Sequence, residues 1–327
     1  MLVPHLDKNF DTKDMVSLPS RNGYGEGLLE AGKRDSNVVA LAADLTESTR
    51  TLPFAEAFPD RFIQVGIAEQ NMASVAAGMA AMGKVPFIAS YAMFSPGRNW
   101  EQIRTTVAYN DSNVKIIGAH AGVSVGPDGA THQAIEDIAI MRVVPNMIVV
   151  APADVHEARK ATLAAAKYDG PVYIRVGRSN TPVVTTPESP FEIGKAEVFY
   201  TKDESLKASI GIVVTGTLLF NALKAAQALE AEGIGATVLH MPTIKPLDTK
   251  ALLELAKDTV GIVTVEEHQK AGGLGGAVTE FLSEANPVKI IRVGVDDQFG
   301  QSGEPDELVE HYGMGITAIV AAAKKLM

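Results

Sequence analysis

From Asn37 onward, short β-branched apolar runs alternate with Ala-rich stretches that read as helices. The runs Asn37–Ala43, Phe62–Val65, Val85–Tyr91, Val114–Gly118, Met147–Ala151 and Val172–Val176 read as strands. Between them, Ala68–Met82, Asn99–Asn110, His132–Arg142 and Val155–Tyr168 read as helices. Continuous apolar strands alternating with helices predict a mainly parallel sheet covered on both faces. The segment Thr181–Pro190 interrupts this with three prolines and no periodicity, which is linker chemistry. The alternation then restarts with strands at Ile210–Val214, Ala236–His240, Gly261–Val265 and Val288–Val293. Helices are predicted at Thr217–Glu232, Thr249–Lys257 and Gly275–Ala285, with a helical stretch over Pro305–Leu326. The expected architecture is two doubly wound α/β domains, residues 1–185 and the smaller 196–327, joined by a linker over about 181–195.

Composition narrows the function classes. The 327 residues, 46% of them apolar, are enough for two buried cores. A net charge of −10 with no basic cluster argues against non-specific binding to nucleic acid or an anionic membrane. With no cysteine, disulfides, thiolate metal sites and a Cys nucleophile are excluded. No apolar run approaches the ~20 residues of a membrane span, and Met1–Ser20 lacks the pattern of a secretion signal. A cytoplasmic location is the resulting expectation.

Open α/β sheets bind ligands at the carboxyl ends of their strands. The residues just past each predicted strand include Ser48, Glu69, Phe94, His120, the Gly-rich run to Asp128 and His132, and Arg178. An acid, two histidines, a hydroxyl, an arginine and an aromatic ring therefore converge on one rim. Each has a plainer explanation taken alone: Glu69 as an acid opening a helix, Ser48 as a turn residue, Phe94 as core, and Arg21 and Arg178 as surface ion pairs. The stretch Ala271–Gly276 lacks the full dinucleotide fingerprint and reads as close strand–helix packing.

The ordered motifs Gly66-Ile67-Ala68-Glu69-Gln70-Asn71-Met72, Phe94 and His120 through Gly129-Ala130-Thr131-His132-Gln133 resemble the pyrimidine-binding domain of transketolase-type thiamine diphosphate enzymes. The resemblance spans about residues 20–180. It continues more weakly through Met241–Asp248 and Val265-Glu266-Glu267, similar to that family's C-terminal domain. It implies that Glu69 shares a proton with the cofactor's pyrimidine nitrogen, that Phe94 stacks on that ring, and that Tyr91 and Ile67 line the pocket. It also implies that Arg21, Ser48, His120 and Arg178 grip a sugar phosphate, that Asp128 reads a substrate hydroxyl, and that His132 contacts the reacting oxygens.

One departure is large. The family's Gly-Asp-Gly, which with a following Asn holds Mg²⁺ and the diphosphate, does not occur in this chain. The resemblance then implies the C-terminal half of a split transketolase, in an α2β2 assembly with an N-terminal subunit that carries the diphosphate-binding domain. Pentose-phosphate chemistry is the default expectation. Smaller departures are Ala68-Glu69-Gln70, where long transketolases usually have Arg-Glu-Phe, and Gly97 near a position where they often carry a tyrosine. The competing readings are the β-subunit of a two-oxo-acid dehydrogenase, which lacks a sugar-phosphate clamp, and a 1-deoxyxylulose-5-phosphate synthase-like enzyme. A non-catalytic assembly partner that keeps the fold is the alternative from another class.

Overall fold

A computed structural model describes residues 1–2, 5–203, 205–206 and 209–327. Its larger sheet has seven strands in the order Thr243–Lys245, Ile148–Val150, Val172–Arg175, Lys115–Ala119, Val85–Tyr91, Val38–Ala42, Phe62–Gln64. Every pairing in it is parallel except that of Thr243–Lys245 with Ile148–Val150. The smaller sheet has five strands: Ile290–Val295, Ile262–Gln269, Ser209–Val214, Gly235–His240 and the antiparallel edge Glu197–Tyr200. The chain is thus mixed α/β with two mainly parallel sheets. Among the described residues no helix is long and apolar enough to cross a membrane.

The domains are not beads on a string. Thr243–Lys245 comes from the second half of the chain yet completes the edge of the first sheet. One apolar cluster runs from Leu41 and Ile88 through Met141 and Met147 to Leu239, Met241, Leu252 and Leu274. The segment expected to be a linker is also fastened down. Thr181–Pro182 pairs with Ser17–Leu18, and the backbone N–H groups of Val184 and Thr185 donate to Asp154 at 2.8 and 2.6 Å. Its prolines fit an edge pairing that needs few donors.

Other expectations are corrected by the backbone. The helix expected over His132–Arg142 begins only at Asp137, because residues 130–136 form turns and a bridge around the candidate site. The stretch Pro305–Leu326 divides into Pro305–His311 and Ile316–Lys324 on either side of Gly313. Trp100–Ala108 is helical but ends as a π-helix, with Tyr109 N–H reaching back to Arg104.

The most consequential unforeseen element is the helix Ser20–Arg34. It contains Gly23, Gly25, Gly27 and Gly32, which lowers intrinsic helix propensity. Packing explains these glycines. A Cβ at Gly23 would lie 1.9 Å from the Val155 carbonyl oxygen, and one at Gly27 would lie 2.8 Å from Thr162. Gly23 and Gly27 therefore let this helix press against Val155–Lys167, while Gly25 and Gly32 make room for Arg50 and for Phe54 and Phe58. In the Gly-rich stretch at 271–276, Leu274 and Gly275 donate their N–H groups to buried Glu266 at 2.6 and 2.8 Å. That is strand–helix packing, as read from the sequence.

Candidate active site

The helix Ser20–Arg34 delivers Arg21 to the rim from its first turn. The Ser20 hydroxyl accepts the Gly177 N–H at 2.8 Å, which ties this turn to the segment carrying Arg178. Arg21 Nη1 donates to the Ser48 carbonyl at 2.8 Å and lies 3.1 Å from His120 Nε2. The Ser48 contact therefore runs through its backbone.

His120 sits just past Lys115–Ala119 with its backbone at φ 55°, and it is only 1% exposed. Tyr91 stacks on its ring, with centroids 3.8 Å apart. Burial, and then the charges of Arg21, Arg178 and Arg50, hold the imidazole far below its ordinary value, at about 3. The ring is thus neutral at ordinary pH. Since Arg21 can only donate, Nε2 is the acceptor and Nδ1 carries the proton. Nδ1 is buried and has no partner among the described residues, which leaves a donor free there.

Arg21, Arg50 and Arg178 form a cationic cluster. Burial and the charges of Arg50 and Arg178 hold the Arg21 guanidinium below its ordinary value. None of the three forms an ion pair with a carboxylate among the described residues. Instead Arg50 Nε donates to Asn22 Oδ1 at 2.9 Å, and Arg178 Nη1 donates to the Val125 carbonyl at 3.0 Å. Three guanidinium groups kept together, with no ion-paired acid among the described residues, leave donors of the kind that suit an anion. Arg50 was not among the residues singled out in the sequence. Its only signal is its place two residues after Ser48.

Glu69 opens the helix Glu69–Ala81 and is completely buried. Ile67, expected to line the pocket, does not face it. Ile67 is 73% exposed, in the turn that follows Gly66. The Glu69 carboxylate meets Arg98 Nη1 at 2.7 Å and the Ser90 hydroxyl at 3.5 Å, and Asn99 Nδ2 donates to its backbone carbonyl at 3.1 Å. Arg98 also lies over the half-buried Phe94 ring, 4.9 Å from its centroid. A buried acid beside a partly open aromatic face fits an aminopyrimidine, which needs one hydrogen-bonding edge and one stacking face. Among the described residues no group of three His, Asp or Glu side chains is arranged to hold a metal.

His132 lies between these two regions, with its ring 5.5 Å from Phe94 and 6.2 Å from Tyr91 by centroids. Its Nδ1 is 2.9 Å from the Thr131 hydroxyl. Asp128 ends the short 3₁₀ turn Val123–Asp128 and is exposed.

The second sheet holds this turn in place. Glu267, in the strand Ile262–Gln269, is buried, and its carboxylate accepts the Ser124 N–H at 2.6 Å and the Thr217 hydroxyl at 3.1 Å. Gly122, at φ 88°, leaves no space for a side chain, since a Cβ there would lie 2.3 Å from Glu267 Oε1. Gln133 Nε2 bridges the Val123 carbonyl and that of Gln301 in the second half of the chain, at 3.0 and 2.9 Å. Burial pushes the Glu267 carboxyl upward, and the nearby Arg175 charge opposes this.

The chain matches two family models: the transketolase pyrimidine-binding domain over residues 17–184 and the transketolase C-terminal domain over residues 200–319. It is 46% identical to a putative transketolase C-terminal section from Methanocaldococcus jannaschii, over 94% of this chain and 95% of that protein. It is 40% identical to a 6-deoxy-6-sulfo-D-fructose transketolase subunit from a Clostridium species, over 94% of each chain. Among solved structures it is similar to a split-gene transketolase described as an inactive β4 tetramer, with a TM-score of 0.86 and 46% identity over 94% of this chain and 98% of that one. The buried acid beside its aromatic ring, the two histidines and the arginines thus lie on a recognised framework: the chain belongs to the transketolase family.

Proposed function

We propose that the chain is the C-terminal subunit of a two-chain transketolase, which transfers a two-carbon ketol unit between sugar phosphates with thiamine diphosphate. The observation that carries this reading is the juxtaposition on one rim. Glu69 and Phe94 offer a pyrimidine site, the unpaired Arg21, Arg50 and Arg178 offer an anion site, and His120 and His132 lie among them.

The cofactor supplies a carbon nucleophile and electron sink, and the chain's own residues do the rest. Glu69 holds or releases a proton at the pyrimidine nitrogen, from a site that excludes water. Phe94 and Tyr91 shape the pocket. His132 exchanges protons with substrate oxygens, while neutral His120 donates from Nδ1. Arg21 and Arg178 bind the terminal anion, with the Ser48 segment at the same site, and Asp128 reads a hydroxyl. Mg²⁺ and the diphosphate belong to a partner subunit with Gly-Asp-Gly, most simply in an α2β2 enzyme.

Four observations support this reading. The chain contains no Gly-Asp-Gly, and it matches a C-terminal section and a split-gene relative over nearly their whole lengths. The uncompensated arginine cluster favours a sugar ending in an anion over an oxo acid. A relative named for 6-deoxy-6-sulfo-D-fructose also acts on an anion-ended sugar. The test is co-expression with a neighbouring reading frame that carries Gly-Asp-Gly, followed by calorimetry with thiamine diphosphate and Mg²⁺ and assay on a ketose phosphate panel. Co-purification with cofactor binding and transfer activity supports the proposal. Micromolar cofactor binding by the isolated chain refutes the division of labour.

A further inference from the structure

The Arg98–Glu69 ion pair has no place in the chemistry above. Glu69 is fully buried, whereas 46% of the Arg98 side-chain surface is exposed. A buried carboxylate without a partner is strongly unfavourable, so the free chain must satisfy it. Arg98 does so, and the same guanidinium lies over Phe94. Both features assigned to the pyrimidine, the acid and the aromatic face, are therefore engaged by one side chain of the protein itself.

We propose that Arg98 is a latch: it occupies Glu69 and Phe94 in the cofactor-free subunit and must swing away for the pyrimidine ring to bind. The inference rests on the thiamine diphosphate reading. A guanidinium donates to a carboxylate but does not give up its proton, so the oxygen it holds is not free to share a proton with a ring nitrogen. Arg98 can leave without disturbing the turn that carries it. Asn99 anchors that turn separately, donating from Nδ2 to the Glu69 carbonyl at 3.1 Å and to the Ser95 hydroxyl at 3.2 Å. Its long side chain can put the charged head into water while the stem stays packed. The latch keeps Glu69 compensated until the cofactor arrives, and it weakens cofactor affinity by whatever the ion pair contributes.

The test uses the assembled two-chain enzyme, stripped of cofactor, with thiamine diphosphate as the probe. Arg98→Met should tighten the dissociation constant on the order of 10-fold, the release expected from one partly solvated charge-assisted contact. Arg98→Lys should fall between Arg98→Met and the parent. In a Glu69→Gln background, Arg98→Met should change affinity little. The melting temperature of the cofactor-free Arg98→Met enzyme should drop, while that of the loaded enzyme stays near the parent's. Unchanged or weaker binding by Arg98→Met overturns the latch and makes Arg98 either a bystander or a cofactor ligand. If Arg98→Met does not assemble, Arg98→Lys decides by the same sign. A parent enzyme that fails to bind thiamine diphosphate refutes the cofactor reading, a separate outcome.

Discussion

Arg178 offers the sharpest test of the anion site. Among the described residues its one side-chain hydrogen bond is to the Val125 carbonyl, which leaves its other guanidinium donors uncommitted there. It also sits close enough to Arg21 and His120 for its charge to disfavour protonation of both. Two consequences follow for Arg178→Met. The fold should lose little, because relief of like-charge repulsion offsets one hydrogen bond. Binding of a phosphorylated substrate should lose a charge-assisted contact, on the order of 1.5–3 kcal/mol, or roughly 10- to 100-fold in affinity. If that contact is equally strong in the ground and transition states, the loss appears in KM while kcat stays nearly constant. Raising the salt concentration should shrink the difference between parent and variant, since Arg178 is only half-buried.

The assay compares a phosphorylated ketose donor with hydroxypyruvate, which carries no terminal phosphate. Arg178→Met should affect the first and leave the second almost untouched, whereas His132→Ala should lower kcat with both. Arg21→Met is a poorer probe, because Arg21 also braces the Ser48 carbonyl and His120 Nε2. Equal loss with both donors on Arg178→Met would refute the anion assignment and favour an oxo acid.

Glu69→Gln should abolish turnover in the assembled enzyme without preventing co-purification, and retention of more than a few per cent of parent activity, roughly a 2 kcal/mol effect, would remove Glu69 from its role. His120 stays neutral in the fold to about pH 3 while the unfolded chain protonates near its ordinary value, so its contribution is intact above roughly pH 6.5 and is lost as the pH falls towards 3. Replacing His120 with Asn should therefore flatten the acid side of a denaturation series by up to about 5 kcal/mol, and identical slopes for parent and variant would rule out a buried neutral ring. Glu267→Ala should loosen the Val123–Asp128 turn, raising substrate KM and speeding amide exchange at Ser124; protected Ser124 in the variant would show that the second sheet does not hold this turn.

What was readable in the chain follows from how each feature is encoded. Strands such as Val38–Ala42 and Lys115–Ala119 are buried along their whole length, so they stand out as unbroken apolar runs. The strand-end rule then locates the rim without any knowledge of strand order. The helix Ser20–Arg34 is hidden because Gly23 and Gly27 serve contact with the distant helix Val155–Lys167, and local propensity cannot register such a partner. Thr243–Lys245 escaped for a related reason, being a short edge strand whose sheet lies in the other half of the chain.

The arginines make the limit clearest. Arg50 and Arg98 are the same residue type, and each follows a strand by a similar distance, eight residues after Ala42 and seven after Tyr91. Their meanings are opposite: Arg98 has a buried carboxylate at 2.7 Å, while Arg50 lies near Arg21 and forms no ion pair among the described residues. A sequence counts charges, but pairing is a property of distance. A satisfied arginine neutralises an acid and an unsatisfied one waits for an anion, so the same side chain can mask Glu69 at one end of the rim and recruit substrate at the other. The first loses its contact when the site fills, and the second gains one. Cofactor affinity should therefore respond to Arg98 and be indifferent to Arg178, and the substrate's anionic end should respond to Arg178 and be indifferent to Arg98.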